Sequence, residues 1–193
     1  MEIAFLIAEL QAELHNAFSQ VDGWFDKPAS LQSFVPDDQG WTGEEVLNHI
    51  GLTNHYLLIL IEKGAAKALT NSQSRNLSAE VANYFFPREK LAAIGTLHAF
   101  PWQRPEHMEP RTNQRPQQVV RQQLHDQLAQ LLNCLNRLAQ GEGLLYQTTM
   151  SVNELGRLNV YEYIYFLTQH ARRHLTQLRD NEAEWLARPL AAK

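Results

Sequence analysis

The sequence predicts an all-α fold: a bundle of four long helices joined by long crossover connections. Three observations carry that expectation. Four segments, each about 20 residues or longer, repeat apolar residues near the 3.6-residue period. Helix start and stop signals bound those segments. Prolines and runs without periodicity gather between them. The 193 residues suit one domain spanning 1–193, long enough to bury a core without disulfide staples.

The first helix runs from Ile3 through Leu6, Ile7, Leu10, Leu14, Ala17, Phe18 and Val21, and Asp22-Gly23 closes it. Trp24 to Gly40 loses the period and contains Pro28 and Pro36, so it reads as a connection across the bundle end. Thr42 and Glu45 then form a capping-box pattern, Thr-x-x-Glu. The second helix therefore starts at Thr42 and runs to about Lys63, before Gly64, with Ala65–Leu69 an extension left open. Its inward face is Val46, Ile50, Thr53, Leu57, Leu60 and Ile61; His49 shares that face, whereas Glu44, Asn48 and Glu62 lie elsewhere.

Residues 64 to 116 read as a short helical piece over Ser78–Phe86, a short helix or a strand over Leu91–Ile94, and a proline-rich irregular stretch from Phe100 to Pro110. Such a segment is either a lid over a site or a crossover linking helix ends. Pro116 opens the third helix, whose core stripe is Val120, Leu124, Leu128, Leu131, Leu135 and Leu138, with Gly141 as its stop. Gln118, Gln122, Gln123 and Gln130 form its solvated outer face. Residues 141 to 157 read as a loop. The fourth helix carries Val160, Ile164, Leu167, Ala171, Leu175 and Leu178 and ends near Leu186, before Pro189.

Within the fourth helix, His170 and His174 stand four apart, so their imidazoles project from one face about 5–6 Å apart at Cβ. That separation suits two ligands of one metal ion. The pair alone is a weak motif in a chain with eight histidines, and hydrogen-bonded core histidines are the plain alternative. His49 supplies the third nitrogen. Three protein ligands with an open position are the pattern of a catalytic rather than a structural site. Imidazole-only ligation suits zinc, nickel, copper or iron(II). Ala171 stands where HExxH has its general base, and no Glu-x-x-His pair exists for a di-iron centre. His15, His98, His107 and His125 are expected to be dispensable, and His55 faces away from His49.

Trp41, Thr42, Glu45, Val46 and His49, followed much later by His170, Arg173, His174 and Gln177, resemble the two motifs of the DinB/YfiT-like metalloenzyme family. The similarity spans the chain in helix order and length. It implies a four-helix bundle of unusual connectivity and the three metal-binding histidines His49, His170 and His174. It further implies zinc or nickel ahead of iron, a homodimer, and a small-molecule substrate. The activity implied is a thiol-dependent S-transferase using a low-molecular-weight thiol. A metal-dependent hydrolase and a non-enzymatic, stress-related metal-binding dimer are the alternatives. A groove with cationic groups drawn from Arg88, Arg104, Arg111 or Arg173 favours the transferase; a site sealed by core side chains favours the non-enzyme.

Net charge of −4 gives no electrostatic footprint for nucleic acid. The run Met1–Leu10 lacks a basic region and carries Glu2 and Glu9, so it does not read as a signal peptide. No run is long enough to span a bilayer. With one cysteine, Cys134, the expectation is a soluble protein of the reducing cytoplasm.

Overall fold

The computed structural model describes residues 2–99, 105–150 and 152–188. Helix α1 spans Ile3–Gly23, a single turn α2 spans Ala29–Gln32, and α3 spans Gly43–Asn71. Two short helices follow, α4 (Leu77–Asn83) and α5 (Arg88–Ala92), before the long α6 (Gln117–Arg137). Strands β1 (Gln147–Met150) and β2 (Gly156–Asn159) pair antiparallel, Gln147 opposite Asn159 and Met150 opposite Gly156, and β2 feeds directly into α7 (Val160–Ala187). The fold is all-α, as the sequence predicts.

The apolar stripes meet in one core. Leu6, Leu10 and Leu14 of α1, Val46, Leu47, Ile50 and Ile61 of α3, Leu131 and Leu135 of α6, and Ile164 and Leu178 of α7 are all buried within it. Each such side chain stabilises the fold by about 1.5–3 kcal/mol relative to exposure. Around the bundle, α1 packs on α7, α7 on α3, α3 on α6 and α6 on α1. Consecutive long helices α1 and α3 therefore sit on a diagonal, as do α6 and α7. Helices α3 and α7 run antiparallel, since Gly64 meets Val160 at one end and His49 meets His174 at the other.

Several sequence expectations are corrected. Helix α3 does not stop at Lys63 but continues to Asn71. Gly64 is a contact, not a terminator: a Cβ there would lie 3.3 Å from Val160 Cγ2 and 3.5 Å from the Tyr146 ring. Leu60 is exposed rather than on the inward face, and Asn48 is buried rather than outside it. Gln123 is half-buried and donates to the Gly51 carbonyl. The stretch 141–157 is not a plain loop, because the hairpin lies in it. Its four-residue strands are too short to show alternation.

Residues 72–99 are also more ordered than expected. Asn76 caps α4 by accepting from Ala79 N. Leu91 and Ile94 are fully buried, seating α5 and the turn after it on α7. Part of the proline-rich stretch, Phe100–Arg104, lies outside the described residues, as does Pro189. Residues 105 to 115 cross the first half of α3 as a strap.

Candidate metal centre

Thr42 begins α3 with the expected reciprocal cap. Its hydroxyl accepts from Glu45 N at 3.2 Å, and Glu45 Oε2 accepts from Thr42 N at 3.0 Å. That fixed start sets the helical register, which turns His49 toward α7. There it meets His170 and His174, and one ring nitrogen from each of the three lies within 4.8 Å of the others. His49, His170 and His174 are 5%, 2% and 7% exposed. His55 is exposed on the far side of α3, and His15, His107 and His125 are exposed elsewhere.

Hydrogen bonds on the outer nitrogens define what the inner ones offer. The Met108 carbonyl lies 2.9 Å from His49 Nδ1 and can only accept, so Nδ1 carries the proton. His174 Nδ1 likewise donates to Gln177 Oε1 at 2.9 Å. Both rings therefore present an Nε2 lone pair inward. His170 Nε2 lies 3.1 Å from His174 Nε2, close to the about 3.3 Å that separates two nitrogens bound tetrahedrally to one ion at about 2.0–2.1 Å. A proton on His170 Nε2 would satisfy that pair alone. His49 Nε2 has the Thr53 hydroxyl at 3.4 Å. One ion would satisfy all three nitrogens, and a metal ligand whose second nitrogen donates to a carbonyl is the usual outer arrangement. The cluster could hold a metal ion.

Electrostatics keep His170 and His174 neutral, the form a metal needs. Burial pushes His170 well below its ordinary value, with His174, His49 and Arg173 adding to the effect. Burial also holds His174 down at about 3, reinforced by His49 and Arg173 and opposed by the Gln177 hydrogen bond.

A cleft of about 500 Å³ opens onto the three rings. Trp41 forms one wall, its ring centroid 4.5 Å from that of His49 and 6.1 Å from that of His174. Arg111, Arg173, Asp180 and Glu184 supply charge around the opening. The site is therefore not sealed by core side chains. Arg111 donates to Glu45 Oε1 and to the Gln39 and Gly40 carbonyls, and Arg173 donates to the Thr96 carbonyl at 2.6 Å. Arg88 lies elsewhere, paired with Glu9 at 2.6 Å, and Arg104 falls outside the described residues. A larger groove, about 820 Å³, runs between α3 and α6 past Ile59 and Val119. Its volume does not make it the metal centre, because the histidine cluster is not in it.

Sequence reasoning missed several residues here. His98, expected to be dispensable, lines the cleft with its backbone in the left-handed region. Asn181 donates to the Trp41 carbonyl at 2.8 Å and so holds the indole over the rings. Its signal was present: His170, His174, Gln177 and Asn181 recur at helical spacing and form one inward polar stripe on α7. Met108 carried no signal, because it acts through its carbonyl.

Neither a curated protein nor a solved structure matches the chain. The family model of the DinB superfamily matches residues 6–178. That match covers most of the sequence and contains all three histidines, and the chain belongs to the DinB superfamily.

Proposed function

We propose that this chain is a metal-dependent enzyme in which His49, His170 and His174 hold one divalent transition-metal ion, zinc or nickel ahead of iron, and that it transfers a small thiol to an electrophile. The observation that carries this reading is the open cleft above three inward-facing ring nitrogens; a purely structural centre calls for a closed one. A bound divalent ion supplies positive charge that favours thiolate over thiol. Trp41 excludes water from one side, while Arg111 and Arg173 attract the carboxylates that low-molecular-weight thiols carry. In the reaction the thiol loses its proton, a sulfur–carbon bond forms, and the electrophile's leaving group departs with its electron pair.

Elemental analysis of protein purified without chelator tests the centre: about one ion per chain is expected, and His49→Ala, His170→Ala and His174→Ala should each remove most of it. Retention of full metal in the His49→Ala, His170→Ala double variant would overturn the ligand set. Adding a thiol to the cobalt-substituted protein should then produce sulfur-to-metal absorption. Should several thiols neither bind nor react with chlorodinitrobenzene, the transferase reading fails and the hydrolase reading remains, for which thiols inhibit.

A homodimer and a cytoplasmic location accompany this proposal. Exposed Ile59, Leu60 and Val119 support the first, and light scattering that finds only a 22.2 kDa species would remove it. Among the described residues no helix is long and apolar enough to cross a membrane.

A further inference from the structure

The strap over α3 is tied down at successive turns of the helix. Arg111 Nε donates to Glu45 Oε1 at 3.0 Å. One turn on, Asn48 Nδ2 donates to the Asn113 carbonyl at 2.8 Å and to the Pro110 carbonyl at 3.3 Å. Beside it Met108 O accepts from His49 Nδ1, and further along the His107 ring packs on the Tyr56 ring with centroids 4.3 Å apart. Asn113 N closes a turn onto Pro110 O at 3.2 Å, so Asn48 grips both carbonyls of one compact turn two residues beyond Met108.

Asn48 is 4% exposed and is not among the residues lining the histidine cleft. It sits on the opposite side of the strap's attachment, in the small pocket with Pro110, Gln114 and Thr42. A buried amide whose donors both serve strap carbonyls is committed to holding that backbone. The carbonyl so placed decides which nitrogen of His49 is protonated. With Met108 O on Nδ1, the lone pair is on Nε2, facing His170 and His174; without it, Nδ1 loses the acceptor that fixes the tautomer.

We propose that Asn48 is a positioning residue for the metal centre: by clamping the 110–113 turn it keeps the Met108 carbonyl on His49 Nδ1 and so keeps His49 Nε2 available as a ligand. This rests on the metal reading for its consequence, but its immediate effect is on the metal-free protein. The side chain's shape is kept and its donors are lost in Asn48→Asp, which also sets a carboxylate against two carbonyls. Asn48→Ala is the second variant, leaving both carbonyls to water.

Two readouts are taken on the full chain. Long-range proton–nitrogen NMR of the chelator-treated protein, with His49 assigned by its loss in His49→Gln, should show one Nδ1–H tautomer in the unsubstituted protein and a mixture in both variants. Zinc affinity, by competition with a chromophoric chelator, should fall about 10-fold or more, at the lower end of what removing an outer partner of a ligand costs. An unchanged tautomer in both variants overturns the proposal, including the case in which zinc affinity falls, because the loss would then be merely structural. Failure of both variants to reach the original helix content also overturns it, making Asn48 a packing residue. Should the unsubstituted protein bind no zinc, the metal reading fails, and the tautomer readout still decides whether Asn48 sets His49.

Discussion

Acidifying the metal-free protein should reveal what burying these imidazoles costs. His174 has its pKa lowered from 6.5 to about 3 in the folded chain, so the unfolded chain binds the extra proton between those values. Its contribution is fully present above pH 6.5 and is lost as pH falls toward 3. Between pH 7.5 and 5.0 this linkage removes about 2 kcal/mol, from a folded value near 3 against an unfolded value near 6.5. With a urea slope of about 2 kcal/mol per molar, the unfolding midpoint moves down by about 1 M.

His170 acts in the same direction, its pKa also being lowered. Two other shifted groups do not confuse the result. Asp22, lowered from 3.8 to about 2 by its Arg121 bond, gives stability lost only below pH 3.8. Glu162, raised above 4.5 by burial, favours the folded chain at low pH, in the opposite sense and equally in any His174 variant. The assay is therefore a difference: urea midpoints at both pH values for the chelated protein and for His174→Gln, whose amide does not titrate. The variant should lose about 2 kcal/mol less on acidification. An equal loss in the two proteins would show that His174 is not buried as a neutral base, and the argument for its availability to a metal would go with it.

Packing and capping give three further outcomes. A Cβ at Gly143 would lie 2.7 Å from the ring of Tyr161, which is fully buried and bonded at its hydroxyl to Gly143 N and the Leu138 carbonyl. Gly143→Ala should cost about 1–3 kcal/mol by urea unfolding, and a neutral result would refute that close approach. Asn159 caps α7 by accepting from Glu162 N at 3.1 Å and also donates to Tyr84 Oη at 3.1 Å. Asn159→Ala should destabilise by about 1–2 kcal/mol in the same measurement, and an unchanged midpoint would deny the cap. Burial pushes the Cys134 thiol up to about 11, so a disulfide reagent should label it only after denaturation; rapid labelling of the native chain would contradict its place in the core.

The parts of the centre legible in the sequence were those fixed by local helical geometry. His170 and His174 share a face by spacing alone, and the Thr42–Glu45 cap sets the register that turns His49 inward. The same pattern at Asn159 and Glu162 was equally readable and went unused, although it marks where α7 begins. Gly64 misled because a glycine that ends a helix and a glycine that admits Val160 look alike in one sequence. The strap was illegible for a different reason. Its grip on α3 is made largely by the carbonyls of Met108, Pro110 and Asn113, and every residue type carries a carbonyl. Of the two buried side chains that hold those carbonyls, His49 reads as inward, whereas helical spacing places Asn48 outside because the apolar stripe does not reveal the segment that covers that face.

The order of the long helices accounts for two of the three connections between them, the third, 72–116, joining the ring neighbours α3 and α6. In a bundle whose helices follow one another around the ring, the second and fourth long helices stand on a diagonal with the core between them. Here the ring order is α1, α7, α3, α6, which makes the second and fourth neighbours and lets His49 meet His170 and His174 directly. The chain reaches this order by taking the α1–α3 and α6–α7 connections across diagonals, through Trp24–Thr42 and through the hairpin. The first of these brings Trp41 to the rings, and the 72–116 connection brings Leu97, His98 and Arg111 to the mouth of the cleft. Helices thus supply the nitrogens and the connections supply much of the wall.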